Sequence, residues 1–120
     1  MKEFKFKVWD KVKRTMLKPQ AITFDIQSLA PFAVSVPGRS WEPVGKFELL
    51  QWTGLSDTKG KEVYEGDFVK ISGTIYRVTW SQEAASFELV EVGDSGNRSI
   101  IDVGKGILVG NQFENSDLVR

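Results

Sequence analysis

The stretch "LSDTKGKEVYEGDFVKI" (residues 55–71) decides the fold, because it holds two turn signals directly before a strand pattern. In the first signal, Asp57 opens a turn and Gly60 closes it, so that the carboxylate accepts a backbone N–H and the glycine takes a positive φ. In the second signal, Gly66 permits a kink and Asp67 accepts hydrogen bonds from the turn that it begins. The stretch therefore predicts a corner between two strands.

Outside this corner, apolar residues mostly alternate with polar ones, which predicts β-strands. Val69 and Ile71 share one face of the strand that follows the corner, and a hairpin is expected to turn at Ser72 and Gly73. The other strand patterns lie at residues 4–9, 21–26, 32–36, 46–52, 74–80, 86–92 and 99–110. Clusters of Gly, Pro and Ser separate several of them, as loops do.

Short strands at this spacing are typical of a sandwich or a small barrel. The sequence therefore predicts a mainly β protein whose antiparallel strands form a curled sheet or an SH3-like partial barrel, with at most short helices. Residues 62–110 form the curled part, and the two short helix options are residues 10–16 and 81–86. The predicted core of the curled part comprises Tyr64, Val69, Ile71, Tyr76, Val78, Trp80, Phe87, Leu89 and Ile107.

The length of 120 residues suits a single domain. Within it we expect an N-terminal part of strands and a loop (1–53) and a barrel-like part (54–120). No stretch has the uninterrupted apolar length of a signal-peptide core or of a membrane span. We therefore expect a protein of the cytoplasm without membrane contacts.

The absence of two residue types restricts the chemistry, because the chain contains no Cys and no His. Disulfides, Ser-His-Asp and Cys-His nucleophiles, and Cys/His zinc sites are thereby excluded. The Asp, Glu, Lys and Tyr residues show no recognisable catalytic spacing. The glycines of "GKGILVG" (104–110) match no phosphate-binding loop. The sequence predicts no enzyme and no cofactor.

An oxygen-ligand metal site is the alternative interpretation of the corner, through Asp57, Glu62, Glu65 and Asp67. The spacing does not match a calcium-binding loop, which needs acidic or amide groups at its first, third and fifth positions. Two lysines also stand between the first two carboxylates. The turn interpretation is therefore preferred, and no metal site is predicted.

Charge is unevenly distributed along the chain, although the formal net charge is zero. Residues 1–20 carry seven basic and two acidic side chains, whereas residues 21–120 carry nine basic and fourteen acidic ones. The basic strip comprises Lys5, Lys7, Trp9, Lys11, Lys13 and Arg14. Such a strip can neutralise phosphates and stack on bases, or it can dock on an acidic protein surface. The acidic remainder of the chain favours the second, since it repels a phosphate backbone.

Three blocks of the chain resemble the YopX family of bacteriophage and prophage proteins. They are "LLQWTGLSDTKGKEVYEGDFVKI" (49–71), the basic opening "KFKVWDKVKRTM" (5–16) and the close "ILVGNQFENSDLV" (107–119). Val63 and Phe68 stand where the family more often has Ile, which keeps the core apolar. The residues that carry the resemblance are Gln51, Thr53, Gly54, Asp57, Gly60, Tyr64, Glu65, Gly66, Asp67, Gly110, Asn111, Glu114 and Asn115.

The resemblance implies a mainly β domain that is encoded in temperate phage genomes and acts in the bacterial cytoplasm. It transfers no catalytic or binding residue. Together with the missing catalytic residue types, it favours a non-catalytic module that binds a host or phage protein and self-associates. We expect Trp9, Trp41 and Trp52 to be exposed and to anchor such contacts. The alternative function is a small β-barrel that binds DNA or RNA through the basic strip.

Overall fold

The computed structural model describes residues 4–115, which are mainly β with about 53% strand and 8% helix. The predicted fold class, antiparallel strands in a curled sheet, is confirmed. The final residues of the closing block, 116–119, lie outside the described part. The strands are β1 (Phe6–Asp10), β2 (Thr15–Leu17), β3 (Ala21–Phe24), β4 (Pro31–Ser35), β5 (Glu42–Pro43), β6 (Phe47–Ser56), β7 (Glu62–Tyr64), β8 (Asp67–Ile71), β9 (Thr74–Ser81), β10 (Ser86–Glu91), β11 (Asn97–Ser99) and β12 (Ile107–Asn111). Short 3-10 helices span Val44–Lys46 and Ile100–Lys105.

Internal contacts divide these residues into two units. Unit 1 contains residues 4–5 and 51–115, and unit 2 contains Phe6–Leu50. Strand β6 runs through the division, with its first part in unit 2 and its second part in unit 1. The parts expected from the sequence, 1–53 and 54–120, divide the chain slightly later in the same strand.

A five-stranded antiparallel sheet in the order β11-β10-β9-β8-β12 forms the frame of unit 1. Strands β8 and β9 are joined at Ser72 and Gly73, whose φ angles are 49° and 84°. Two successive positive φ values are those of a type I′ turn, which matches the twist of paired strands. The hairpin predicted at these two residues is confirmed.

The buried core cluster of unit 1 is dominated by β-branched side chains. Phe68 and Val69 are successive residues of β8 and both are fully buried, so the sheet is covered on both faces at this strand. The buried core cluster consists of Val63, Val69, Ile71, Tyr76, Val78, Leu89 and Val103. The predicted Tyr64 is also buried, and Phe87 packs against the cluster.

Two residues of the predicted core, Trp80 and Ile107, are instead exposed by 45% and 42%. Ile107 lies opposite Lys70, which is exposed, and directly opposed residues of an antiparallel pair share a face. Trp80 lies on the same face of β9 as Val78. It is two residues nearer the end of the strand than Val78, which pairs with the buried Leu89. Exposure here depends on the neighbouring strand and on the strand end, which alternation alone does not show.

The first predicted turn is held by the buried carboxylate of Asp57. Its Oδ1 accepts the backbone N–H groups of Lys59 and Lys61, each at 2.9 Å. Its Oδ2 accepts the backbone N–H of Leu108, also at 2.9 Å. Gly60 has φ +81° and donates its N–H to the Asp57 carbonyl at 3.0 Å. The predicted turn is confirmed, and it is also tied to β12.

The next residue, Thr58, adds two bonds between this turn and the segment before β12. Its N–H donates to the Gly106 carbonyl (2.9 Å) and its hydroxyl donates to the Gly104 carbonyl (3.0 Å). Glycine is required at 106, because a Cβ there would lie 2.6 Å from Val69 Cγ1 and 2.9 Å from the Lys70 carbonyl. The turn therefore holds this segment in close contact with β8.

The second predicted turn is held by Asp67 in a similar way. Its Oδ2 accepts the backbone N–H of Tyr64 at 2.7 Å, and Gly66 has φ +88°. The N–H of Gly66 donates to the carbonyl of Val78 at 2.9 Å, which connects the turn to β9. The predicted kink at Gly66 is confirmed. Asp67 does accept a backbone N–H, but from Tyr64, three residues before it, so Asp67 ends this turn and does not begin one as predicted.

Unit 2 contains a hairpin of β1 and β2 and an antiparallel sheet in the order β3-β4-β5. Its buried cluster consists of Val8, Val34, Val36 and Phe47, with Leu17, Val44 and Leu49 packed against it. The strand alternation predicted for 32–36 is therefore confirmed at its two valines.

Both helix options, 10–16 and 81–86, are wrong, since each segment forms a hairpin loop between paired strands. Asp10 and Ser81 precede the two loops, and their side-chain oxygens accept backbone N–H groups of loop residues. Each loop ends in a residue with positive φ, which reverses the chain. A segment this short forms too few helical hydrogen bonds to offset the cost of helix nucleation, so a turn forms instead.

Within the described residues, no helix has the length and apolarity that crossing a membrane requires.

We predict that Asp57→Asn lowers the free energy of unfolding by roughly 2 kcal/mol at neutral pH. The amide oxygen can replace Oδ1, but the amide nitrogen is a donor and cannot accept from the N–H of Leu108. Asp94→Asn is the matched control, because Asp94 is exposed and accepts only from the adjacent Ser95 amide among the described contacts. Urea denaturation measures both variants, and an unchanged midpoint for Asp57→Asn would contradict the assigned role.

The same variant should also change the pH dependence of stability. Burial raises the pKa of Asp57, but the hydrogen bonds from Leu108, Lys61 and Lys59 lower it, and the net pKa lies below the ordinary 3.8. A depressed pKa means that this contribution to stability is complete above about 3.8 and is lost as pH falls through the folded-state value. The difference between wild type and Asp57→Asn should therefore narrow below pH 3.8 in the same denaturation series.

Candidate functional site

Lys5, the first residue of the basic strip, belongs to unit 1. Its ammonium group forms an ion pair with the Glu62 carboxylate and lies 4.5 Å from the centroid of the Trp52 ring. The N–H of Trp52 also donates to the Lys5 carbonyl at 2.8 Å. Trp52 is half-buried in this arrangement, whereas Trp41 is exposed as predicted. Lys5 therefore takes part in the internal contacts of unit 1.

The rest of the basic strip lies in unit 2, where Trp9 is only 6% exposed. The predicted exposure of Trp9 is wrong, because Val8 and Trp9 are successive in β1 and both faces of the strand are covered there. The guanidinium of Arg14 lies 5.8 Å from the centroid of the Trp9 ring. Lys11 Nζ lies 3.6 Å from the Glu48 carboxylate. A buried indole cannot stack on a base in this conformation.

The loop that carries Lys13 is capped by Asp10, which the sequence interpretation did not single out. Asp10 is buried, and its Oδ1 accepts the N–H groups of Val12 and Lys13 at 2.9 Å each. Its Oδ2 accepts from the Arg39 guanidinium at 2.8 Å. The hydrogen bonds from the Lys13 amide and from Arg39 lower the pKa of Asp10. An Asp directly before "KVKR" is the sequence signal that could have revealed this cap.

Lys7, the remaining member of the strip, is half-buried on β1.

Residues of the middle family block make strand and turn contacts. Thr53 Oγ1 donates to the Val63 carbonyl at 2.8 Å, which joins β6 to the strand after the first turn. The N–H of Glu65 donates to the Gln51 carbonyl at 2.9 Å, and Gly54 has φ +87°. These residues therefore have an architectural role in the fold.

The closing block forms a turn around Asn111. Asn111 Oδ1 accepts the N–H groups of Phe113 (3.0 Å) and Glu114 (2.8 Å). The side-chain amide nitrogen of Asn111 donates to the Glu114 carboxylate at 2.7 Å. The Asn111 N–H donates to Asn115 Oδ1 at 3.2 Å. Gly110, with φ +149°, leaves space for the Asn115 side chain, whose Oδ1 would lie 2.5 Å from a Cβ. This block too builds a turn.

The carboxylates of the corner do not converge. No group of three or more Asp or Glu side chains in residues 4–115 is placed to hold a metal ion. Both oxygens of Asp57 accept backbone N–H groups, and Glu62 is engaged by Lys5 and by the Tyr64 hydroxyl. The corner is therefore a structural feature of unit 1.

A surface pocket of about 250 Å³ lies in unit 1 and is lined by Gln51, Glu65, Trp80 and Phe87. Trp80 and Phe87 face each other across β9 and β10, with ring centroids 5.1 Å apart and an interplanar angle of 77°. The sequence interpretation missed this pocket, because it assigned both rings to the core. Two aromatic residues at the ends of adjacent strands could have indicated it.

An exposed hairpin is the second feature that the sequence interpretation missed. The arm consists of β3, β4 and the turn between them, residues 21–35 in unit 2. Every residue in 23–32 is exposed. The large apolar side chains of this tip are Phe24 (54% exposed), Ile26 (89%), Leu29 (74%) and Phe32 (67%). Strand alternation places such residues on faces but does not show whether anything covers the face.

Comparisons with known proteins agree with the resemblance noted in the sequence. A crystal structure of protein EF1440 from Enterococcus faecalis is similar over 100% of both chains, with a TM-score of 0.72 and 21% sequence identity, which shows a shared fold. No curated protein sequence matches the chain. The family model described as YopX protein matches residues 5–120, essentially the whole sequence. The chain therefore belongs to the YopX family.

Proposed function

We propose that this protein is a non-catalytic interaction module, encoded by a bacteriophage or prophage, that binds a host or phage protein in the bacterial cytoplasm. The proposed contact element is the tip of the arm. The observation that carries the proposal is the set of four large, exposed apolar side chains within residues 23–32. A chain without His or Cys also lacks the commonest pairs of catalytic nucleophile and general base, Ser–His and Cys–His, which supports a binding role.

The charge of the arm favours a protein partner. Asp25 is the single charged residue in the sequence from 19 to 38. Its carboxylate is occupied in the turn, where it accepts from the Ser28 hydroxyl at 2.9 Å. A surface with aromatic side chains and a single charged residue resembles the centre of a protein interface, from which charged residues are depleted. The same surface offers no cation to neutralise a phosphate backbone.

The size of the tip favours a different protein over a second copy. Four partly exposed apolar side chains present on the order of a few hundred Å². A stable interface buries about 800 Å² on each partner. Tip-to-tip contact between two copies would bury less than this, whereas an apolar groove in a different protein can enclose the same side chains and add contacts around them, as it does for anchor residues.

The backbone at the tip supports a functional role for Leu29. This residue has φ +60°, in the left-handed region where a side chain costs about 1 kcal/mol relative to glycine. Its N–H donates to the Asp25 carbonyl at 2.7 Å, so the turn holds this conformation. A large apolar side chain at a strained and exposed position does not stabilise the folded unit. Arg14 and Ala85 also have positive φ where loops reverse the chain, so the φ angle of Leu29 follows from the turn. What supports a binding role is the presence there of an exposed leucine instead of glycine.

We predict that Leu29→Gly and Phe32→Ser each weaken binding of the partner about 30-fold, as loss of an anchor residue does. The partner is first identified by a photo-crosslinking amino acid at position 32 in host cells, then purified and titrated by calorimetry. Leu29→Gly should leave the free energy of unfolding unchanged or raise it, because glycine adopts this φ without strain. A structural role would instead lower both stability and affinity.

Val12→Ser is the matched control, because Val12 is 76% exposed, is apolar and lies in unit 2 outside the arm. Its affinity should stay within about twofold of wild type, and a crosslinker at position 12 should not capture the partner. Crosslinks that join two copies of the chain, or that reach only lipid, would overturn the assignment of the arm to a different protein. Equal capture at positions 12 and 32 would also overturn it.

Binding of DNA or RNA through the basic strip is the alternative function. The buried ring of Trp9 and the ion pairs of Lys5 and Lys11 rank this alternative below a protein partner. A strip that used four or five cations would give a log–log salt slope of roughly −3 to −4.5.

A mobility-shift titration at low salt decides between the two functions. The protein-partner proposal predicts no shift of single- or double-stranded probes at tens of micromolar protein. A salt-sensitive shift that is abolished by Lys7→Glu with Lys13→Glu would reverse the ranking, since phosphate contacts depend on these charges.

A further inference from the structure

The five-stranded sheet of unit 1 has a second face, on the side opposite the buried core cluster. Side chains alternate along a strand, and Tyr76 and Val78 of β9 belong to the core cluster, so Arg77 between them lies on the second face. Arg77 is only half-buried there. The cover over Phe68, which lies opposite Arg77 in β8, therefore does not extend fully over Arg77. Solvent reaches this arginine, and so can a partner.

The surroundings of Arg77 on this face are mostly apolar. Its direct neighbour on β10 is Val90, and its neighbours on the same face of β9 are Ile75 and Thr79. All three are partly exposed. The aliphatic stem of an arginine packs on such a surface while its guanidinium stays in contact with water. The second face therefore presents a positive charge within an apolar patch.

The side chain of Arg77 forms no ion pair and no hydrogen bond within the described part of the chain. An acidic residue of the same face, Glu88, lies opposite Thr79 in the β9–β10 register and so is diagonal to Arg77, but the two side chains do not pair. On the core side of the sheet, by contrast, Arg98 pairs with Asp102 at 3.1 Å. The five N–H donors of the Arg77 guanidinium therefore remain available to a partner.

We propose that the second face binds a partner protein through Arg77, whose guanidinium receives an Asp or Glu carboxylate of that partner. Guanidinium and carboxylate form a bidentate pair with two parallel hydrogen bonds, and apolar side chains around the pair lower the local dielectric constant and strengthen it. Apolar side chains that flank the partner's carboxylate pack on Ile75 and Val90. Arginine is among the residues that carry most of the binding energy at protein interfaces. The proposal concerns unit 1 and does not depend on the arm, so either contact can fail without the other.

The shape and charge of the second face favour a protein segment over other anions. The face is an open sheet surface, whereas sites for small molecules are concave and enclose their ligand. The strands present two cations there, Arg77 and, diagonal to it on β8, Lys70, and one carboxylate, Glu88. A phosphate backbone is bound through several neutralising cations, which this face does not supply. A single carboxylate between apolar groups matches it better.

The test uses the full ¹⁵N-labelled chain and two capped tripeptides, acetyl-Leu-Glu-Leu-amide and acetyl-Leu-Gln-Leu-amide, which differ only in the charge of the central side chain. The Nε–H signal of Arg77 is assigned by its loss in Arg77→Lys. At physiological salt, the glutamate peptide should shift this signal and saturate in the millimolar range, which is expected for so short a peptide. The glutamine peptide should bind at least ~5-fold more weakly, because it cannot form the charged bidentate pair.

Arg77→Gln should weaken binding of the glutamate peptide at least ~5-fold, followed at the backbone amide of Val90. Lys59→Gln is the matched control, because Lys59 is an exposed cation in the turn before β7 and lies outside the second face. Glu88→Gln should strengthen binding, since it removes a carboxylate that repels the peptide. The ¹⁵N spectrum reports whether each variant is folded. Should Arg77→Gln fail to fold, Arg77→Lys replaces it and should also weaken binding, because lysine keeps the charge but cannot form the bidentate pair.

Equal affinity for the two peptides would overturn the proposal, because the face would then recognise only apolar side chains. Absence of any saturable shift with either peptide, or unchanged affinity in Arg77→Gln, would overturn it as well. A short oligothymidylate that binds at Arg77 more tightly than the glutamate peptide would assign the face to a phosphate backbone. An Nε–H signal that moves with protein concentration alone would assign it to a second copy of the chain, and either result would reject a different protein as the partner.

Discussion

The position of β12 in unit 1 depends on a buried charge, the carboxylate of Asp57. A carboxylate can be buried at tolerable cost only if hydrogen bonds replace its lost hydration, and this one accepts three backbone N–H groups. Two come from its own turn and the third comes from Leu108, 51 residues further along the chain. Thr58 adds bonds from the same turn to the carbonyls of Gly104 and Gly106. The turn thereby fixes the approach of β12 to β8 and completes the edge of the five-stranded sheet.

Because Asp57 and Asp67 accept backbone N–H groups of unit 1, the contact element that we propose lies elsewhere, in the arm. The arm of unit 2 is apolar and nearly uncharged at its tip, whereas the pocket of unit 1 sets Glu65 beside Trp80. The basic strip, by contrast, contributes Lys5 and Lys11 to internal ion pairs and Trp9 to the protein interior.

The features that the sequence predicted correctly are those decided by neighbouring residues. The turn at Asp57 and the hairpin at Ser72 and Gly73 follow from local hydrogen bonding and permitted φ values, so the local sequence was enough to predict them. The hydrogen bond from the Leu108 N–H to Asp57 could not be predicted, because no local sequence pattern specifies a partner so distant along the chain. Alternation predicted most of the strands, but it assigns side chains to faces without showing what covers them. For that reason the burial of Trp9 and the exposure of the arm tip were both missed.

The pH dependence of backbone amide chemical shifts, measured by NMR, tests the central role of Asp57 most directly. An amide that donates to a carboxylate changes its chemical shift when that carboxylate takes up a proton, so the amides of Lys59, Lys61 and Leu108 should report the same event. As pH is lowered, these three amide signals should move with one common midpoint below the ordinary aspartate value of 3.8. A Leu108 amide that does not follow the other two, or a common midpoint above 3.8, would contradict the account.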